Sequence, residues 1–268
     1  MPAILPARLK QQAALLAGQY DDPPAYVRSL HHLMEFYSER AIKPGAAMES
    51  HSLLPSYHVR QPVLRQVLFE LSPYVEEDSQ TCLALLDRLW EEPYLEFRLL
   101  AIGVLGQLPV EETDQLLERL EAWLRTNPEE RILTAMLTQG LSRLRREKPA
   151  ELDRLIEKWL LSPDLLEKQL GLRALIPVLQ DPAFQNLPVY YRLVMPLVRQ
   201  SPGVLRPDIL DVIDSLARCS PQETAFFLRQ ALMMANSPDA AWFIRQSARS
   251  FPPGIQEELR RSVRGMGA

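Results

Sequence analysis

Only two cysteines, Cys82 and Cys219, occur in the 268 residues of this chain. So few and so far apart, they give no disulfide framework and fit a reducing, cytoplasmic setting. Glycine is scarce too, ten residues against 23 prolines, a balance that speaks for rigid punctuation rather than flexible linkers. Neither charge dominates: 30 Lys and Arg against 34 Asp and Glu leave a formal net charge of -4. The molecule as a whole is therefore no electrostatic magnet for nucleic acid, although a locally basic face stays open. Charged residues interrupt every hydrophobic stretch, so no run approaches bilayer-spanning length. The opening MPAILPARLKQQAALLAGQY lacks a basic region ahead of a continuous apolar one. It reads as an amphipathic first helix, not a signal peptide. No Gly-rich phosphate loop, His-Glu-x-x-His helix, nucleophile elbow or Cys-x-x-Cys pair occurs. Period-two strand alternation is missing throughout, which makes the fold all-α.

What the chain does have is a rhythm of prolines. Pro93, Pro128, Pro163, Pro202 and Pro238 are separated by 35, 35, 39 and 36 residues. A repeat of that length marks a stacked helical solenoid. Asn127, Ser162, Ser201 and Ser237 precede four of the five prolines. These residue types cap a helix start, and Pro suits the next position because its missing N–H would be unpaired there anyway. The acidic Glu129, Asp164 and Asp239 follow, where the helix dipole favours them. Ser220-Pro221-Gln222-Glu223 reads as a capping box. Each repeat is thus helix, turn, helix. The first helix of the clearest repeat, Tyr94 to Leu105, is apolar on almost every side. The second, Glu111 to Leu124, confines Leu116, Leu117, Leu120, Trp123 and Leu124 to one stripe. Such a unit buries its apolar face only against its neighbours, and the expected product is a right-handed superhelical α-solenoid with a concave surface.

Ahead of the array, residues 3 to 19 and 24 to 40 read as helices. Ala41 to Pro62 reads as a long irregular connection, mobile or functional. The division is 1–61 for the N-terminal helices and loop and 62–268 for the repeat array, within one continuous domain.

Three stretches resemble the HEAT-like-repeat DNA alkylation-repair glycosylases. The most specific contains Leu89, Trp90, Glu96, Phe97, Arg98 and Ala101. A second is Tyr57-His58-Val59-Arg60-Gln61-Pro62 followed by Arg65, with His58 where the family usually has Gly. The third is Lys158 to Leu175. The resemblance implies two-helix HEAT-like repeats and a concave basic surface holding duplex DNA. It also implies excision of alkylated purines by an Asp that stabilises the sugar cation beside tryptophans. Here the matching segment, Asn127 to Met136, has Glu130 near the Trp position and Thr134 near the Asp. Leu166 and Val212 stand at later Trp positions, and Gln169 lies near an Arg position. The resemblance therefore leads to a binding scaffold for DNA or a protein segment, without glycosylase activity. The alternative is a divergent glycosylase.

Candidate residues follow. Glu130, or Glu129, could replace the lost Asp, or both could simply occupy a helix first turn. Arg143, Arg145, Arg146 and Lys148 form the densest basic cluster, either neutralising phosphates or closing a helix end. Arg98, Arg131 and Arg173 complete a candidate contact strip, and Arg260, Arg261 and Arg264 a polar cap. Trp90, Trp123 and Trp159 recur at second-helix ends as packing knobs, whereas Trp242 breaks that rhythm and is a candidate contact. His31, His32, His51 and His58 lack a convergent ligand pattern. No metal, cofactor or membrane partner is expected.

Overall fold

The computed structural model describes residues 5–38, 53–126, 128–181, 187–234 and 237–264. Throughout these residues the chain is helical, without strands. No helix among them is long and apolar enough to cross a membrane. The chain forms two compact units, Met1–Pro149 and Ala150–Ala268.

The first unit contains α1 (Pro6–Ala17), α2 (Pro23–Tyr37), α3 (Gln61–Glu77), α4 (Ser79–Glu91), α5 (Leu95–Leu105), α6 (Thr113–Leu124), α7 (Glu130–Ala135) and α8 (Ser142–Glu147). A π-helical turn, Met136–Gly140, joins the last two. Packing skips one element: α1 lies on α3, α3 on α5, α5 on α7, and α2 on α4. In α5 every residue but Arg98 is buried, as its all-round apolar pattern requires of a helix held between layers. Most of the connection Ala41 to Pro62 lies outside the described residues, and from Leu53 onward it is an irregular segment running into α3.

The second unit runs through α9 (Pro149–Leu161), α10 (Leu165–Leu179), α11 (Leu187–Arg199), α12 (Arg206–Cys219), α13 (Pro221–Met233), α14 (Pro238–Ser247) and α15 (Pro253–Arg264). The same rule holds, with α10 on α12, α12 on α14, α11 on α13 and α13 on α15. All five rhythmic prolines open a first helix: Pro93, Pro128 and Pro163 two residues ahead of α5, α7 and α10, Pro202 ahead of a short 3-10 turn before α12, and Pro238 as the first residue of α14.

Bonds between layers carry the same period. Within the first unit Arg119 bonds Asp87 across 32 residues, Ser142 Oγ donates to Gly106 O across 36, and Lys148 Nζ donates to Val110 O across 38. Within the second, Tyr190 bonds Asp153 across 37, Tyr191 bonds Thr224 across 33, Ser237 Oγ donates to Arg199 O across 38 and Ser250 bonds Asp214 across 36. Trp90 and Trp123 stack between layers at 4.0 Å, and Trp159 is buried, so these three indoles are packing knobs.

The expected serine caps are corrected in part. Ser237 caps α14 by accepting from Ala240 N, but α10 is capped by Asp164, which accepts from Leu166 N. Because α10 begins two residues beyond Pro163, Ser162 is left outside and accepts from Asp164 N. Ser201 donates its N–H to Asp239 of the next layer, and the cap of α13, Ser220, makes no side-chain capping bond. Asn127 lies outside the described residues.

The π turn has a visible cause. At the end of α5, Gly106 approaches it so closely that a Cβ would stand 1.9 Å from the Gln139 carbonyl oxygen. Gly106→Ala should therefore cost about 2–3 kcal/mol, read as a lowered urea midpoint, because backbone cannot yield as a side chain can. Gly254→Ala, with nothing within 4 Å, should be neutral or slightly stabilising.

Candidate ligand-binding face

The first helices carry most of the residues singled out from the sequence. In the first unit the two best-matching stretches are tied together. Glu96, buried in the first turn of α5, accepts from Ser56 Oγ at 2.7 Å, from Tyr57 N at 3.2 Å and from Val59 N at 3.4 Å. Pro55 O accepts from Leu95 N at 2.9 Å. A buried carboxylate is tolerable only when its oxygens are satisfied, and here the segment entering α3 satisfies them. Tyr57 stacks on Tyr94 at 4.6 Å, and its hydroxyl lies 2.7 Å from His31 Nδ1, whose Nε2 faces Glu92 at 3.3 Å. That arrangement gives His31 a packing role. Among the described residues no three potential ligands converge on a metal. His51 lies outside them. His58 has a φ of 54°, the left-handed region, which explains why a glycine suits that position.

On α7, Glu130 is exposed and accepts from Thr134 Oγ1 at 3.4 Å, while Thr138 Oγ1 donates to Thr134 O. Glu129 accepts from Leu53 N at 2.8 Å. Arg131 is exposed.

The basic cluster is drawn inward. Arg143 bonds Glu76 and Glu147 and donates to Gln107 O at 2.8 Å. The hydrogen bond it donates to Glu76 raises its pKa further, and the same bond holds the Glu76 carboxyl below its ordinary range. Arg145 donates to Thr138 O and Lys148 to Val110 O. Gln107 O lies just beyond the end of α5, Thr138 O within the π turn, and Val110 O at the start of a 3-10 turn, so three of the four cations are turned onto carbonyls of the chain itself. Arg146 is exposed. Arg98 lies over Trp90, 5.1 Å from the ring centre, and donates to Glu92 O.

In the second unit Arg173 bonds the buried Asp208 at 2.6 Å, and Gln169 donates to its other oxygen at 2.8 Å. Leu166 is 64% exposed, whereas Val212 is fully buried. Trp242 is half-buried under Arg206, 5.1 Å from its ring centre, and Arg206 also bonds Asp239 at 2.7 Å. Arg260, Arg261 and Arg264 are exposed on α15.

A family model described as DNA alkylation repair enzyme matches residues 37–247. The chain belongs to the DNA alkylation repair enzyme family. No curated protein and no solved structure matches it. In this family member the frame and the exposed face have separate fates. Glu96 and Arg98, both from the quoted motif, join layers to one another. Val212 is core. Glu96 was legible as an acid inside an apolar helix, but its clamp partners were not, because they come from a segment without periodicity. Asp208 gave no signal at all, since an acid near a helix start is ordinary.

Two outcomes test this geometry. His58→Gly should raise stability by about 1 kcal/mol, measured by chemical denaturation, since it relieves a left-handed backbone. On α12, partial burial first and then the carboxylates of Asp208 and Asp214 raise the pKa of Asp211. The folded state therefore binds this proton more tightly, and stability falls as pH rises through the carboxylate range. Asp211→Asn should remove that component and stabilise the protein near neutral pH, by less than about 1 kcal/mol because solvent screens an exposed carboxylate. Thermal melts between acid and neutral pH would show it.

Proposed function

We propose that this family member is a HEAT-like-repeat binding scaffold without glycosylase activity, whose first-helix faces hold a protein segment. The observation that carries the reading is the state of the side chains around the family's catalytic position. Thr134 stands there with a hydroxyl bonded to Glu130, and Glu129 is engaged by the backbone of Leu53. Electrostatic stabilisation of a developing cation needs a fixed carboxylate in a water-excluded site. Glu130 is solvated. The candidate phosphate contacts support the same reading, because Arg143 and Arg173 are neutralised by carboxylates and Arg98 is laid on an indole. The exposed Asp211 further places acid on α12.

Duplex DNA is the second reading, favoured by family membership and by the exposed Arg131 and Arg146. Titration of a fluorescent duplex across salt separates the two. A protein-binding scaffold should show weak binding at most. A steep salt dependence, lost in Arg131→Glu with Arg146→Glu, would select DNA, because each neutralised phosphate adds to the slope. Base release from alkylated duplex should be absent; release that disappears in Glu130→Gln would replace the scaffold reading with a divergent glycosylase.

A further inference from the structure

An apolar surface feature that the site above does not use lies on the second helices. In the second unit α11 and α13 run side by side and enclose an open groove of about 740 Å³. One wall is Pro188, Arg192, Met195 and Pro196; the other is Glu223, Phe226, Gln230 and Met234, with Tyr191 and Phe227 between them. Phe226 is 58% exposed, Met233 80% and Met234 61%. Exposed apolar side chains contiguous with an apolar groove mark an interaction site rather than ordinary surface.

We propose that this groove is where two copies of the chain pair about a twofold axis. A twofold interface must be self-complementary, with each feature and its counterpart on the same patch. This patch meets that requirement twice. It carries both a protruding ring, Phe226, and a cavity able to take one. It also carries opposite charges on opposite walls. Tyr191 bonds Thr224 at 2.8 Å and its ring lies 5.1 Å from that of Phe227. Arg192 and Glu223, each one residue from a member of that pair, therefore stand on opposite rims of the groove at nearly the same level. An axis through their midpoint sets Arg192 of each copy over Glu223 of the other and directs each Phe226 at the opposing groove. Competition for Arg192 within the chain is slight, since its pair with Glu157 spans 3.9 Å and is largely solvated. The net charge of -4 adds little repulsion between copies. Two 13-residue helices side by side offer a face of about 20 Å by 20 Å, roughly 800 Å² over both copies and below the range of stable interfaces, so pairing should be weak, on the order of tens of micromolar.

Sedimentation velocity of the full chain over about 1 to 100 μM should show a reversible monomer–dimer equilibrium. Phe226→Asp should abolish the dimer. Arg192→Glu and Glu223→Arg should each weaken it roughly tenfold or more, and the two together should restore it, because the swap recreates both crossed pairs. All three side chains are exposed, so the variants should keep the circular dichroism and melting behaviour of the parent. A monomer throughout the range would overturn the proposal and leave the groove to another protein's helix. A dimer indifferent to Phe226→Asp, or a double swap that fails to restore pairing, would overturn it as well.

Discussion

A pair of helices about three dozen residues long cannot bury its own apolar surface, and everything else in this chain follows from that deficit. Helices borrow cover from both the next element and the one two away, so α5 sits on α4 as well as on α3 and α7, and α12 on α13 as well as on α10 and α14. Polar bonding obeys the same geometry. The carbonyl at the end of α11, Arg199 O, accepts from Ser237 of the following layer, and Val110 O accepts from Lys148 of the layer after its own. Stacking is thus both the hydrophobic and the hydrogen-bonding solution.

That division separates the residues that join layers from those on the exposed faces. Residues joining layers are buried or doubly bonded: Glu96 under the segment that enters α3, Arg143 between two carboxylates, and Asp208 beneath Arg173 and Gln169. Changing any of them would leave a buried polar group unpaired. Thr134 and Glu130 on α7, by contrast, are exposed and bond one another within their own helix.

The proline spacing located α5, α7, α10, α12 and α14, because Pro suits a helix start, whereas Pro73, Pro177 and Pro196 lie inside helices and carry no such period. Cap identity was less legible: Ser162 and Asp164 are both capping types two residues apart, and only the backbone decides between them. The arginine cluster misled for another reason. At 143, 145 and 148 a basic residue looks the same in sequence whether it faces a phosphate or a carbonyl, and two of the three carbonyls belong to the preceding layer. His58 was legible only as a departure from a usual glycine, and its positive φ supplies the meaning.

The indoles of Trp90 and Trp123 lie nearly parallel, 8° apart, each belonging to a different layer. Two chromophores that close share their excited states, so the chain carries a built-in optical gauge of the gap between those layers. Separation of the two without loss of either helix would be visible in near-ultraviolet dichroism while the amide signal stayed constant.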